Sequence, residues 1–424
     1  MGRGFSPLDE ELGLLPGSLS PGLVESVARL GTWIPFEPAA KMLDHFTKVE
    51  VGKETARRIT ERAGRAYVGV QTAELGELER ELPMAPEGPA VQQLSVDGAM
   101  VPLVKREWAE VKTLAIGTVM QRLKDGKWEP HTEELSYFSR LTDHMSFARL
   151  ATVETHRRGT ARAGLVTGVV DGADWEQTFL DLQRPDAVRI LDWGHSSGYL
   201  ARAAHAVFGV GTAESEQWLK VQLHELKHGD PEVVLAKLRG LQEDLVLQEG
   251  RSEALETVRA SLEYLEKRRD QIRYAEFIRA GYPIGSGIVE SANKLVVQAR
   301  LKGAGMHWER GHVDPMVALR NVACSDRWEE AWPKIAEFLR QEPKRRSAAR
   351  RAERKAAKAA LQEVAAQACP VLAEPEGEPT TAAAVPEAVI TPAQAEDKAI
   401  TGPRRLSANH PWRRMAIGRV RQAA

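Results

Sequence analysis

The chain has 424 residues, 43% of them hydrophobic, and a formal net charge of −1. That length fits one large domain with attachments or two to three domains, and the apolar share suffices for a sizeable core. Only Cys324 and Cys369 are present, which excludes a disulfide scaffold or a Cys-rich zinc module within the chain. There is no run of about 18 apolar residues and no basic-then-apolar signal sequence at the N-terminus. A soluble, cytoplasmic protein without a membrane partner is expected. The balanced charge hides one local excess: residues 340–358 hold nine basic and two acidic side chains.

Residues 1–30 are Gly- and Pro-rich with short apolar pieces. A helix is expected over residues 38–46, then a second over residues 53–63 with Thr55, Ile59 and Ala63 at helical spacing and Gly64 as its stop. Two short helices with a tight joint resemble a helix-turn-helix, in which Lys53, Arg57 and Arg58 meet phosphates. A small all-α packing unit fits these residues equally well. From Val91 the pattern turns to strands: one through Leu94, Val96 and Val101, one over residues 108–119 and one over 135–141. A helix over 144–158, a strand over 164–170, a helix over 175–182 and a strand over 187–191 follow. The order β-β-β-α-β-α-β means three sequential antiparallel strands, then two crossovers to parallel neighbours, with the fourth strand beside the first.

After His195 some 85 residues read as helical. Val234, Leu238, Leu241 and Leu245 form one stripe and Leu255, Val258, Leu262 and Leu265 another, with the break at Glu249-Gly250; both stripes are read as core or as a helix–helix seam. Gly285-Ser-Gly then leads into a helix carrying Glu290, and further helix extends through Trp328 and Trp332 to Leu339. Beyond Pro343 comes an Ala/Arg/Lys helix candidate. Residues 371–398 have the composition of a disordered segment, and 409–414 that of a basic docking element with one aromatic.

Three carboxylates stand where this order of elements brings them together. Asp97 is mid-strand, Asp171 ends the fourth strand, and Glu290 sits in the first turns of its helix. A buried carboxylate is costly unless paired or bound to a cation, and three converging ones suit Mg²⁺ or Mn²⁺, which prefer oxygen donors. Each also has a plain structural reading: Asp97-Gly98 as a turn, Asp171-Gly172 as a strand end, Glu290 as a favourable charge at a helix N-terminus.

Several segments in this order carry a resemblance: Leu94-Ser-Val-Asp97-Gly98, Val169-Val-Asp171-Gly-Ala-Asp-Trp175, Ile190-Leu-Asp192-Trp-Gly-His195, Gly285-Ser-Gly-Ile-Val-Glu290-Ser, Gly305-Met-His-Trp308 and His410-Pro-Trp412-Arg. Together they resemble a DDE-type bacterial insertion-sequence transposase of the ISKra-type family, more distantly similar to Mutator-like transposases. The resemblance implies an α/β protein with an RNase H-like catalytic core on a mixed five-stranded sheet. The catalytic, metal-binding triad is then Asp97, Asp171 and Glu290, holding two Mg²⁺ or Mn²⁺ ions. It further implies metal-dependent 3′-end cleavage and strand transfer, double-stranded DNA (element ends and target) as partner, a homodimer or larger synaptic complex, and nucleoid association.

On that reading residues 1–85 are an N-terminal helical domain and 86–195 the first part of the core. Residues 196–280 are an all-α insertion, 281–340 the rest of the core and 341–424 a mostly disordered tail. Asp192 and His195 match an accessory Asp-x-x-His element, whose plainer role is to cap a helix. Lys294, Arg300 and Lys302 are expected on DNA phosphates and Trp308 on an unpaired base, although an i, i+4 Glu290–Lys294 pair and core packing of Trp308 are the simpler alternatives. In the family a segment like residues 2–9 often follows a Cys-x-x-Cys zinc element. Here that element is expected to be missing, through truncation or a misassigned start. A non-catalytic DNA-end-binding protein and a structure-specific nuclease of the same fold remain as other readings.

Overall fold

The computed structural model describes residue 15 and residues 19–367, so the expected disordered segment and docking element, and the segment 2–9, lie outside the described residues. Residues 1–356 form one compact unit and 357–424 a second, of which only the helical stretch to residue 367 is described. Helix α1 (Pro21–Trp33) was not expected from the Gly/Pro-rich start. Its signal is Ser20-Pro21: the Ser20 hydroxyl accepts the Leu23 N–H, and proline occupies the first helical turn, where its missing N–H costs nothing. Helices α2 (Phe36–Thr47) and α3 (Lys53–Glu81) follow.

Helix α3 runs well past Gly64, the expected stop. Gly64 is a point of close approach instead: a Cβ there would lie 2.1 Å from the Pro315 carbonyl oxygen. Gly64→Ala is therefore expected to destabilise the fold by about 1–3 kcal/mol through overpacking. Gly76→Ala on the same helix meets open space and is expected to stabilise by about 0.5–1 kcal/mol. Denaturant midpoints of the two variants, shifting in opposite directions, check this pair.

Strands β1 (Val91–Pro102), β2 (Trp108–Lys124), β3 (Lys127–Arg140), β4 (Leu165–Val170) and β5 (Val188–Leu191) form one mixed sheet in the order β3-β2-β1-β4-β5. β1–β2 and β2–β3 are antiparallel, β1–β4 and β4–β5 parallel, as the sequence led us to expect. β3 starts eight residues earlier than expected, because its first half is exposed and polar. That half pairs with β2 across Asp125-Gly126, both in the left-handed region, an Asp-Gly hairpin turn that the sequence advertises.

The parallel pairs need crossovers, supplied by α4 (His144–Arg157) and α5 (Asp174–Gln183). One face of the sheet buries Leu94, Val96, Leu114 and Ile116 against Phe147 of α4 and Phe179 and Leu180 of α5. Helices α6 (Trp193–Phe208), α7 (Ala213–His228), α8 (Pro231–Val246), α9 (Ser252–Glu266) and α10 (Tyr274–Arg279) make up the expected all-α stretch. The two leucine stripes fall on α8 and α9, either side of a break at Gly250. Their buried side chains share one cluster with Val169, Ile190 and Leu191 of the sheet. The helical stretch thus covers β4 and β5 and has no core separate from theirs.

Helix α11 begins at Gly287–Ala292, passes through a π-helical stretch, Asn293–Gln298, and ends with Ala299–Leu301. A π stretch misplaces backbone carbonyls, and buried Arg320 of α12 (Arg310–Cys324) donates to those of Leu295 and Val296. With α12, it packs Val289, Val296, Val297 and Val313 on Ala99, Val101 and Val111, covering the β1–β2 side of the second face. Helix α13 (Trp328–Gln367) stacks Trp328 on Trp332 and packs with α3 and α12. No helix among the described residues is long and apolar enough to cross a membrane.

Candidate metal centre

The site follows from strand register. Leu94 pairs with Gly168 across β1 and β4, so three residues further along both chains Asp97 and Asp171 come side by side. β4 ends at Val170 while β1 continues alone against β2, and β1 and β4 continue into connections on opposite sides. That is the switch point at which α/β sheets bind ligands. Asp97, one residue out of phase with Leu94 and Val96, points to the face covered by α11. There the Asn293 side-chain amide donates to its Oδ2 at 2.7 Å, and the Gly98 N–H donates to its Oδ1 at 2.6 Å.

Asp97, Asp171 and Glu176 each offer an oxygen within 4.8 Å of the others, the group that among the described residues could hold a cation. Glu176 was missed in the sequence because it has a local task. It is the third residue of α5, and its Oε2 accepts the N–H groups of Gly172 (2.9 Å) and Ala173 (3.0 Å) at the helix start. The signal was there: a carboxylate one helical turn beyond a strand-end aspartate returns to that strand end. Glu176 is 2% exposed.

Burial pushes Asp97 up, lifts Asp171 to about 6 against the opposing pull of His195, and lifts Glu176 to about 8, helped by the Asp171 charge. Crowded, desolvated carboxylates of this kind resist losing their protons unless a cation joins them. Three hard oxygen donors with no sulfur or free imidazole suit Mg²⁺ or Mn²⁺ better than zinc or copper. The donor set fits such an ion.

Glu290 is not within that group. It is exposed on the first turn of α11, and its negative charge adds to the rise at Asp171. Asn293, also missed, shares its helix face three residues on and touches Asp97. Glu290 and Lys294 are both exposed and form no ion pair with each other among the described residues, and the π stretch begins between them.

Asp192 is 4% exposed and caps α6, accepting the His195 N–H at 2.9 Å, while its other oxygen accepts the Ser286 N–H at 2.7 Å. It thereby ties the Gly-Ser-Gly turn to β5. Although burial opposes it, the His195 and Ser286 hydrogen bonds bring Asp192 down to about 2. His195 Nδ1 lies 3.2 Å from both Asp192 Oδ2 and Asp171 Oδ1, and the Asp192 bond raises its pKa. Asp171, not Asp192, is the strand-end acid of the oxygen cluster.

Several expected DNA contacts are relocated. Arg300 is 2% exposed, lies 4.7 Å from the Phe36 ring and 5.3 Å from that of Trp308, and donates to the Gly31 carbonyl. Burial lowers it to about 10. It is a core cation and cannot reach a phosphate. Trp308 is buried too, its indole N–H bonded to the Leu301 carbonyl, so packing and not base stacking describes it. Arg57 is engaged by Glu54 and Glu61, whereas Lys53, Arg58, Lys294 and Lys302 are exposed.

No protein-family model matches the chain, and a search of curated proteins returned no relative.

Proposed function

We propose that the chain is a DDE-type transposase: a metal-dependent enzyme that cleaves DNA 3′ ends and transfers the strand, built on an RNase H-like core. The observation that carries the reading is the convergence of Asp97, Asp171 and Glu176 oxygens at the switch point of a mixed sheet. The order of motifs around them supports the narrower family reading. Asp97 and Asp171 would hold the ions, with Glu176 closing the cluster from α5. The chemistry that two such ions supply is activation of the attacking oxygen and charge stabilisation on the leaving one.

The protein's own tasks are positional. Asn293 holds the Asp97 carboxylate, and His195 holds Asp171 against Asp192. Glu290, open to solvent on α11, would act on the proton of the attacking water. Lys294 and Lys302 on and just beyond α11 steer the backbone phosphates. Joining two element ends requires a dimer or larger assembly, and light scattering of an end-bound complex that stays monomeric would overturn that part.

The test is to incubate the chain with Mg²⁺ or Mn²⁺ and a duplex made from the DNA flanking its gene. Nicking at a 3′ end followed by joining to a second duplex is expected. Cleavage without joining would make it a nuclease, and binding without cleavage a DNA-end-binding protein. In the same assay Glu290→Gln is expected to slow cleavage by about 100-fold or more, the scale of a lost acid/base group, while Mn²⁺ binding by the free protein stays close to wild type. Glu176→Gln is expected to weaken Mn²⁺ binding by the free protein, and cleavage with it.

A further inference from the structure

The loop that carries Asp171 is held from the helical stretch. The Tyr264 hydroxyl donates to the Asp171 carbonyl oxygen, and Arg268 donates to the Gly172 carbonyl oxygen through Nε at 2.9 Å and also through Nη2. Arg268 lies with its guanidinium 3.8 Å from the Tyr264 ring centre, and Tyr264 stacks on Tyr199 at 3.8 Å between ring centres. Arg202 lies 3.9 Å over the outer face of Tyr199. Four side chains from α6, α9 and the turn just past α9 thus form one stack whose inner end grips the two peptides after β4.

Gly172 is shaped for this grip. Its φ is +88°, and a Cβ would fall 2.4 Å from Arg268 Nε. Its N–H is bound by Glu176 and its carbonyl by Arg268. The Asp171–Gly172 peptide is therefore fixed from both sides, its carbonyl by Tyr264 and its N–H by Glu176, and Arg268 holds the carbonyl of the next peptide. Arg268 is 8% exposed, and its guanidinium donates to the Gly172 and Tyr264 carbonyl oxygens. A buried guanidinium bound to carbonyls is an expensive way to pack a helix, and an apolar side chain would cover the stack at lower cost.

We infer that Tyr264 and Arg268 are positioning residues of the metal centre. Through the Asp171–Gly172 backbone they set the Asp171 and Glu176 oxygens at the separation a divalent cation needs, which makes the helical stretch part of the site. This rests on the metal-centre reading above. Groups that orient ligands typically change metal affinity by about 10–100-fold when removed.

The test is Mn²⁺ titration by calorimetry, on full-length wild type and on Tyr264→Phe, Arg268→Ala and Arg268→Lys, each checked for native circular dichroism. Arg239→Ala is the control: it breaks a pair with Glu232 within α8 and the pair with Glu266 that links α8 to α9, and it removes no hydrogen bond to the Asp171 or Gly172 backbone. Arg268→Ala is expected to weaken Mn²⁺ by at least about tenfold and Tyr264→Phe by several-fold, with partial recovery in Arg268→Lys. Arg239→Ala is expected to lower the melting temperature and leave Mn²⁺ affinity unchanged. Native variants that bind Mn²⁺ as wild type does would overturn the inference while leaving the metal centre intact. Should Arg268→Ala not fold, Tyr264→Phe decides alone. Wild type that binds no Mn²⁺ would overturn both.

Discussion

Asp171→Asn is expected to lower DNA cleavage by about 10³-fold or more while making the metal-free protein more stable at neutral pH. The first effect follows from losing an anionic ligand: stabilising transition-state charge through a bound ion is worth several kcal/mol, and about 1.4 kcal/mol is a factor of ten. The second follows from burial. The Asp171 carboxyl is lifted to about 6, first by desolvation and then by the charges of Asp97, Asp192 and Glu290, with His195 opposing. An amide of the same shape has no charge to desolvate. Function and stability therefore oppose each other at one position, as expected of a site held together by its ligand. Cleavage rates and metal-free melting curves of the same preparation measure both. Residual activity within tenfold of wild type would remove Asp171 from the mechanism.

Stability should fall between mildly acid and mildly alkaline pH in the absence of divalent cations, and Mg²⁺ should restore it mainly at the alkaline end. Asp171 and Glu176 are raised to about 6 and about 8 from ordinary values of 3.8 and 4.5. The folded chain keeps protons that the unfolded chain has already released. The stabilisation they give is complete below the unfolded values and is lost as pH rises through the folded ones. Asp192, brought down to about 2, has the opposite sign, and its contribution is lost only in strong acid.

A cation must displace the protons on Asp171 and Glu176 at low pH, so its apparent affinity grows by up to about tenfold per pH unit for each proton displaced. The rise in melting temperature on adding Mg²⁺ should accordingly be much larger at about pH 8 than at about pH 5.5. Equal shifts at the two values would mean that the ion binds elsewhere. Asp171→Asn should flatten the dependence.

How far the sequence reaches depends on whether a residue's role is local or assembled from afar. Asp97 and Asp171 were legible because an acid inside or at the end of an apolar strand stands out, and the order of strands says which ones touch. Glu176 was not, because a glutamate three residues into a helix is what capping alone would select. Asn293 was hidden for the opposite reason: an uncharged amide on a helix carries no signal until its neighbour on β1 is known. Arg300 was misjudged because a basic side chain near a helix end reads as solvent-facing. Phe36 and the Gly31 carbonyl, which enclose it, come from the far end of the chain. The outer half of β3 has no buried face, so no alternation marked it, although Asp125-Gly126 marked its turn. Helix α3 runs through Gly64 because that glycine serves the close approach of Pro315 from another helix and not a helix end.

The π-helical stretch in α11 fixes a relation of phase. One residue more than an α-helix needs rotates everything downstream by about 100° relative to what precedes it. Exposed Glu290 lies before the stretch and Asn293 opens it against Asp97 of β1, whereas Val296, Val297 and Leu301, within and after it, are buried in the core against α12. Removing any single residue from Asn293–Gln298 would leave a better helix by local criteria. It would also force a choice, since either the acid or the core face would be swung out of place. Arg320, satisfying the displaced carbonyls, is what allows one rod to serve two directions. The length of this helix is therefore constrained to the single residue, in a chain whose surface loops should accept insertions freely.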